Sequence, residues 1–232
     1  MNDFLINLRF LGLGAAFYPA LKNTNALFTL GGDLYLLDCG ETAFAQLRDS
    51  PELVKASRII AVITHLHSDH VGSLATLIAY SRFVLKKNVT VLFPHEDITC
   101  LLKIMAIERP WYTWIPAYET GENISIKAYE VEHVSTLRCY GYLFGLGDEH
   151  IYYSGDAKHV PQEIIDLFFE GKVNRIYQDV AIEERNHLTH GSFHELETIF
   201  PPETRSRVYC IHLDTDFRPL IKEKGFSLPP LV

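Results

Sequence analysis

The segment THLHSDHVGS, residues 64–73, places three histidines and one aspartate within six positions. His65 and His67 alternate, so on an extended backbone both side chains point the same way. Asp69 and His70 follow at a turn into a helix and point to a neighbouring spot. Two adjacent sets of nitrogen and carboxylate ligands suit two metal ions that share one site. The alternative is a histidine-rich surface turn without chemistry, and HxHxDH directly after an apolar strand disfavours it.

Further ligands are expected where later strands end, because side chains at strand ends can converge on one site. Three candidates appear in chain order: His133 closes IKAYEVEH, Asp156 closes IYYSGD, and His212 closes VYCIH. Gly155 permits a tight turn that pushes the Asp156 carboxylate outward. These three side chains would complete the metal site that the opening segment begins.

The elements that must position these side chains follow from the hydrophobic pattern. Short apolar runs alternate with helix-period segments, which favours an α/β fold. The predicted strands are residues 4–11, 26–30, 34–37, 58–64, 89–93, 124–131, 140–144, 150–153, 173–179 and 208–211. The predicted helices begin near Glu41, span 70–85 and 98–107, run from Pro161 to Gly171, and start at a capping box of Ser192 and Glu195. This arrangement suits two β-sheets packed face to face with helices outside, in one domain of residues 1–232.

The amino-acid composition and net charge of the chain limit the kinds of partner that it is expected to bind. The chain has 232 residues, 47% of them hydrophobic and 22% charged, as is ordinary for a globular protein. Its formal net charge of −8 argues against a broad nucleic-acid-binding face, although a metal can still attract a small anion locally. The sequence shows neither a signal peptide nor an apolar run of membrane-spanning length, and its cysteines form no CxxC pair. We therefore expect a cytoplasmic protein that does not contact a membrane.

Several motifs together resemble the metallo-β-lactamase superfamily: DCGE at 38–41, HLHSDH at 65–70, SGD at 154–156, and the histidines at 133 and 212. The resemblance implies an αββα four-layer sandwich with two zinc ions per chain. By position, one ion would be held by His65, His67 and His133, the other by Asp69, His70 and His212, with Asp156 bridging them. It also implies that Asp38 is a structural residue behind the site. Ligand type favours zinc, with manganese or iron as alternatives.

The segment IYQDVAIEERNHLTHGSFHEL resembles the ribonuclease Z branch of this superfamily, in which an acidic residue and a histidine form an acid–base pair beside the metals. His190 would be that histidine, and Asp179 stands where a glutamate is usual. Asp69 is counted with these two as catalytic. A solvent-facing loop histidine is the alternative for His190, and it is the favoured interpretation of His187 and His194.

Such a pair fits phosphodiester hydrolysis, in which metals activate water and a histidine protonates the leaving ribose oxygen. Ribonuclease Z carries a long tRNA-binding arm between the positions that match His133 and Asp156. Here that interval is short and predicts a plain hairpin. We therefore expect a smaller phosphodiester as substrate, and no tRNA.

Among relatives without the arm, the chain resembles the anti-Pycsar proteins. The motifs are GAAFYPALKNTNALF, DCGETAF, THLHSDHVGSLATLIAYS, CYGYLF, IYYSGD, RIYQD and VYCIHLDTDF. This resemblance implies hydrolysis of 3′,5′-cyclic nucleotides (cCMP, cUMP, cAMP or cGMP) in a homodimer, which would defeat cyclic-nucleotide antiphage signalling. The motifs indicate neither a base preference nor a phage or bacterial origin.

Other functions remain open. The superfamily also includes lactonases and thioesterases, a ribonuclease Z-like RNA phosphodiesterase is possible, and a protein that sequesters a nucleotide without cleaving it is the non-enzymatic alternative. The segment ERPWYTWIPAY predicts a loop bounded by prolines. Its aromatic side chains would stack on a base, reach a partner subunit, or fill a core or dimer seam; they are Trp111, Tyr112, Trp114 and Tyr118.

Overall fold

A computed structural model describes residues 6–117, 124–186 and 188–232. The described strands are β1 (Arg9–Phe10), β2 (Ala26–Leu30), β3 (Asp33–Leu37), β4 (Ile59–Val62), β5 (Val89–Leu92), β6 (Tyr112–Ile115), β7 (Ser125–Val131), β8 (Cys139–Leu146), β9 (Glu149–Tyr153), β10 (Arg175–Asp179) and β11 (Val208–Ile211). The described α-helices are α1 (Ala43–Leu47), α2 (Pro51–Lys55), α3 (Ser68–Val71), α4 (Leu74–Tyr80), α5 (Asp97–Ile104), α6 (Gln162–Phe169), α7 (Phe193–Ile199) and α8 (Arg218–Glu223). Tyr118, His187 and the start of the predicted strand 4–11 lie outside the described residues.

The strands form two sheets. One has the order β1-β2-β3-β4-β5-β6, and the other has the order β11-β10-β9-β8-β7. Strands β3 to β6 run parallel to one another, as do β9, β10 and β11. Because parallel strands end at the same edge, residues that follow β4 in one sheet, or β9 to β11 in the other, are grouped there.

Side chains of the second sheet alternate between two cores. Tyr153 and Tyr177 lie in a hydrophobic cluster that also contains the first sheet. Their neighbours Tyr152 and Ile176 lie in a second cluster with the buried side of α6, including Phe168. Successive side chains on a strand point to opposite faces, so this sheet packs against the other sheet on one face and helices on the other.

The predicted hairpins are confirmed. Gly31 and Gly32 both have positive φ between β2 and β3, which is the conformation that a two-residue hairpin turn requires. Strands β8 and β9 pair antiparallel as far as Leu146 and Glu149. The chain between His133 and Asp156 therefore forms a short hairpin, and no long arm is inserted there.

The single helix predicted over residues 70–85 is wrong. The chain instead forms α3, α4 and a π-helical turn at Ser81–Leu85. Between α3 and α4 the close packing requires glycine at position 72, because a Cβ there would lie 2.5 Å from the Ser68 carbonyl oxygen and 2.8 Å from Glu41 Cγ. The hydroxyl of Ser73 accepts a hydrogen bond from the Phe44 amide, so this turn is fitted against the start of α1.

The loop predicted around Trp111 is also wrong. Residues Tyr112–Ile115 form β6, which pairs parallel with β5 and lies at the edge of its sheet. The flanking prolines stand outside this strand, so they bound it without interrupting its hydrogen bonds. The described part of the first strand is shorter than predicted, since among residues 6–11 Arg9–Phe10 are the ones that pair with β2. None of the described helices combines the length and apolar character needed to cross a membrane.

Candidate functional site

The predicted ligands converge where strands of both sheets end. His65 and His67 follow β4, and the short helix α3 presents Asp69 and His70. From the other sheet come His133 after β7, Asp156 after β9 and His212 after β11. All but His67 are buried, so the fold gathers these polar side chains in its interior.

One set of ligand atoms comprises His65, His67, His133 and Asp156. His67 Nδ1 lies 3.0 Å from His65 Nε2 and 3.3 Å from His133 Nε2. Asp156 Oδ2 lies 3.8 Å from both Nε2 atoms. Four ligands around a zinc ion stand about 3.4 Å apart along the edges of the tetrahedron, so these separations fit one metal ion.

A second set comprises Asp69, His70, Asp156 and His212. His70 Nε2 lies 3.1 Å from Asp69 Oδ2 and 3.2 Å from Asp156 Oδ1. His212 Nε2 lies 3.2 Å from Asp69 Oδ2 and 3.3 Å from Asp156 Oδ2. Asp156 belongs to both sets, as a bridging carboxylate would.

Buried polar atoms without a hydrogen bond show whether the cluster fits a metal ion. His70 Nε2 and Asp156 Oδ1 are buried and lie 3.2 Å apart, yet neither makes a hydrogen bond of acceptable geometry to any described residue. Leaving two such atoms unpaired would be costly in a protein interior. A metal ion coordinated by both atoms would remove that cost, so the residues fit a metal centre.

The outer nitrogens of three histidines are held by oxygen atoms. Thr64 Oγ1 lies 3.1 Å from His65 Nδ1, and Asp38 Oδ2 lies 2.8 Å from His70 Nδ1. His133 Nδ1 donates to the carbonyl oxygen of Thr189 at 2.8 Å. Such contacts fix the orientation of each ring and leave Nε2 to face the centre.

The backbone is constrained at the same place. His212 and Asp38 have φ of 56° and 61°, values that residues other than glycine rarely adopt. Gly155 has φ of 58°, and a Cβ there would lie 2.6 Å from Thr64 Cβ, so glycine is needed beside Asp156. Rare conformations of this kind persist where the surrounding structure enforces them, typically at functional sites.

Electrostatics favour positive charge in this cluster. Burial by itself would lower the pKa of His70 and His212, but the Asp156 carboxylate and its acidic neighbours raise both pKa values well above the ordinary range. Burial would likewise raise the pKa of Asp156, but the His212 and His70 rings hold it well below its usual value. The field that favours protons on these rings also favours a divalent cation.

His190 lies beside the cluster and is paired with Asp179. His190 Nδ1 lies 2.8 Å from Asp179 Oδ2, and Asp179 Oδ1 lies 3.4 Å from His212 Nδ1. His190 Nδ1 also lies 3.9 Å from Asp156 Oδ2. Burial opposes its charge, but the Asp179 carboxylate raises its pKa overall. The two members of the predicted acid–base pair are therefore brought together, and the shorter aspartate side chain reaches both histidines.

A pocket of about 690 Å³ opens onto this cluster, which is within the roughly 300–1,000 Å³ of small-molecule sites. Besides ligand residues, its lining includes Phe17, Arg185 and Asp214, which the sequence motifs did not single out. Asp214 follows His212 by two positions, and Phe17 lies in GAAFYPA. Asp214 could have been predicted from its closeness in sequence to the ligand His212. Phe17 could have been suspected only because it is aromatic.

The aromatic residues considered from sequence lie elsewhere. Trp111, Tyr112 and Trp114 do not line the pocket. Tyr112 is buried, and Trp114 Nε1 donates to the Phe93 carbonyl oxygen. These three residues pack against the core at the sheet edge, so they do not stack on a ligand in the pocket of their own chain.

Solved structures define the class of fold. The metallo-β-lactamase fold protein YhfI from Bacillus subtilis is 16% identical with a TM-score of 0.73, and covers 95% of this chain and 93% of its own. The short form of human tRNase Z is 18% identical with a TM-score of 0.71, covering 97% and 96%. Zn²⁺-bound PqqB from Methylobacterium extorquens is 12% identical with a TM-score of 0.72, covering 97% of each chain. The chain therefore has the predicted metallo-β-lactamase αββα fold.

Sequence comparison then gives the family. The sequence model of the anti-Pycsar protein Apyc1 family matches residues 6–103 and 99–228, so the chain belongs to this family. An Apyc1 protein from Paenibacillus xerothermodurans is 23% identical over 95% of this chain and 92% of its own length. One from Bacillus phage BSP38 is 26% identical over 94% and 93%. These matches confirm the resemblance that the motifs indicated.

Proposed function

We propose that this protein is a metal-dependent phosphodiesterase that hydrolyses 3′,5′-cyclic nucleotides to nucleoside monophosphates. Membership of the Apyc1 family supports this activity, and the name of that family supports a role in defeating antiphage signalling. The observation that carries the chemistry is the His190–Asp179 pair, held at 2.8 Å beside the two ligand sets.

The proposed centre holds two zinc ions in the two ligand sets described above, with Asp156 common to both. The Zn²⁺ named in the PqqB structure and the nitrogen-rich ligands support zinc. When bound, such ions lower the pKa of a coordinated water and neutralise charge on phosphoryl oxygens. Asp69 contributes to the second set and keeps a negative charge there, because His70 and His212 offset the effect of its burial on its pKa.

Hydrolysis adds water across one P–O bond, and the departing ribose oxygen must receive a proton. Asp179 accepts a hydrogen bond from His190 Nδ1, so Nε2 of the ring is left to donate its proton to the ribose oxygen. Burial lowers the pKa of His190 but the Asp179 carboxylate raises it overall, which favours the protonated ring that this step requires. The small pocket and the short hairpin before Asp156 support a small phosphodiester in preference to tRNA. We place the enzyme in the cytoplasm as a homodimer.

A substrate panel tests the proposal. Zinc-loaded protein is incubated with 3′,5′-cyclic mononucleotides, cyclic and linear dinucleotides, precursor tRNA and a lactone, and products are separated by chromatography. We expect turnover of the cyclic mononucleotides and its loss on chelation. Lactone turnover without nucleotide turnover would contradict the proposal, as would cleavage of precursor tRNA alone or tight nucleotide binding without any product.

A further inference from the structure

We propose that Phe17 is the platform on which the nucleobase stacks, an inference that rests on the proposed function. The loop before β2 brings Phe17 to the same pocket as the ligands His67, Asp156 and His212. The cyclic phosphate would occupy the metal end of the pocket, and the base would extend towards the aromatic rim.

Exposure is the first observation behind this proposal. The Phe17 side chain is 99% exposed, the highest value among the exposed large hydrophobic residues of the described chain. A fully hydrated phenyl ring gains nothing for folding, since its apolar surface remains in water. Its place on the rim of the ligand-containing pocket gives that surface a partner when a flat aromatic ligand enters.

The backbone under Phe17 is ordered by hydrogen bonds, which is the second observation. The Tyr18 amide donates to the Ala15 carbonyl, and the Ala15 amide donates to the Leu213 carbonyl. The Gly14 amide donates to the Lys22 carbonyl, closing the base of the loop. Because Leu213 directly follows the ligand His212, the loop that displays Phe17 is fastened to the metal end of the pocket.

Stacking also suits a substrate class in which the base varies. Every nucleobase has a π-face, so stacking on an aromatic side chain contributes affinity without reading hydrogen-bonding edges. A platform of this kind would accept both purines and pyrimidines. The structure thus assigns affinity for the base to Phe17 and the reaction itself to the buried cluster.

The test compares steady-state kinetics of wild type, Phe17→Ala and Phe17→Trp on a 3′,5′-cyclic nucleotide and on a base-free ribose 3′,5′-cyclic phosphate. For the nucleotide we expect Phe17→Ala to raise KM about tenfold with kcat nearly unchanged, and Phe17→Trp to restore KM. For the base-free compound KM should be the same in all three. Ile104→Ala is the matched control, since Ile104 is 83% exposed and does not line the pocket.

Three results would overturn the role of Phe17 while the proposed function stands. They are an unchanged KM in Phe17→Ala, an equal rise for the base-free compound, and a change of sedimentation coefficient that marks Phe17 as a contact with a second copy. Absence of turnover by the wild type on any cyclic nucleotide would overturn the proposed function, and this inference with it.

Discussion

At the scale of single residues, two carboxylates organise the site. Asp156 contributes to both ligand sets, and Asp179 lies between His190 and His212. Because each carboxylate serves two partners, replacing either should have consequences beyond one lost contact.

Asp156→Asn should reduce metal content and activity together. The amide removes the negative charge that both ligand sets share and retains only one oxygen for coordination. We expect bound zinc, measured by mass spectrometry of the metal, to fall well below that of the wild type, and turnover to fall at least about 100-fold. Asp148→Asn, in the exposed turn between β8 and β9, should change neither. Full metal content in Asp156→Asn would contradict the bridging role.

His190→Ala should separate turnover from metal binding. His190 pairs with Asp179 and is not needed by either zinc set, so its loss removes the proton donor and leaves the ligands in place. We expect kcat to fall about 10²–10⁴-fold at constant zinc content. His194→Ala is the matched control, because that side chain is 89% exposed, as predicted, although it lies in α7 and not in a loop. Equal activity in His190→Ala would rule out its assigned role.

The sequence predicted the clustering of ligand residues because HxHxDH is local and dense. Asp156 and His133 were predicted from their places at strand ends, and the family resemblance then assigned each to a ligand set, since their partners are distant along the chain. Phe17 could not be predicted, because its significance lies in exposure beside a pocket that only the folded chain forms.

At the scale of elements, the segment from Ile182 to Asn186 positions the proton donor. Asp214 accepts hydrogen bonds from the Ile182 and Glu183 amides, at 3.2 and 3.0 Å, and from Asn186 Nδ2 at 2.8 Å. The Asn186 carbonyl in turn accepts from the His190 amide at 3.0 Å. Asp214 therefore supports His190 through Asn186.

Asp214→Ala should weaken this support. Losing three hydrogen bonds to the segment lets His190 occupy more orientations, so we expect kcat to fall about tenfold while zinc content is retained. Asp216→Ala is a suitable comparison, because Asp216 is exposed and forms an ion pair with its sequence neighbour Arg218. An unaffected kcat in Asp214→Ala, with the variant folded by circular dichroism, would exclude a positioning role.

Elements with local turn chemistry were predictable, and those that depend on tertiary packing were not. Gly31 and Gly32 specify their hairpin by conformation alone. The turn after α3 packs at Gly72 against the distant Glu41, and β6 pairs with the edge that β5 offers. Neither neighbour is visible to a pattern read along the chain.

At the scale of the whole molecule, the site joins the two sheets. His65 and His70 come from the β4 side, whereas Asp156 and His212 come from the β9–β11 side. The alternation of predicted strands and helices along the chain indicated two packed sheets, and the second sheet shows this packing at Tyr152 and Tyr153. A metal ion bound between sheets can bind fully only to the folded chain.

Metal removal should therefore lower thermal stability. A ligand that binds the native state alone stabilises it by about 4 kcal/mol at a thousandfold excess over Kd. For a chain of this length we expect a fall in Tm on the order of 10 °C after chelation, reversed by added zinc. Differential scanning calorimetry measures the shift. Asp156→Asn should show a smaller response to zinc, and an identical Tm with and without metal would contradict binding between the sheets.

The hydrogen bond from His133 Nδ1 to the Thr189 carbonyl couples metal binding to the ordering of His190. It joins a proposed metal ligand to the residue immediately before the proton donor. Linked equilibria are reciprocal, so the free energy by which a bound ion orders His190 equals that by which the ordered segment tightens the ion. In a newly made chain, His190 would thus become ordered as the metal ions bind. A protein that had bound only one of its two ions would be inactive as well as incompletely loaded with metal.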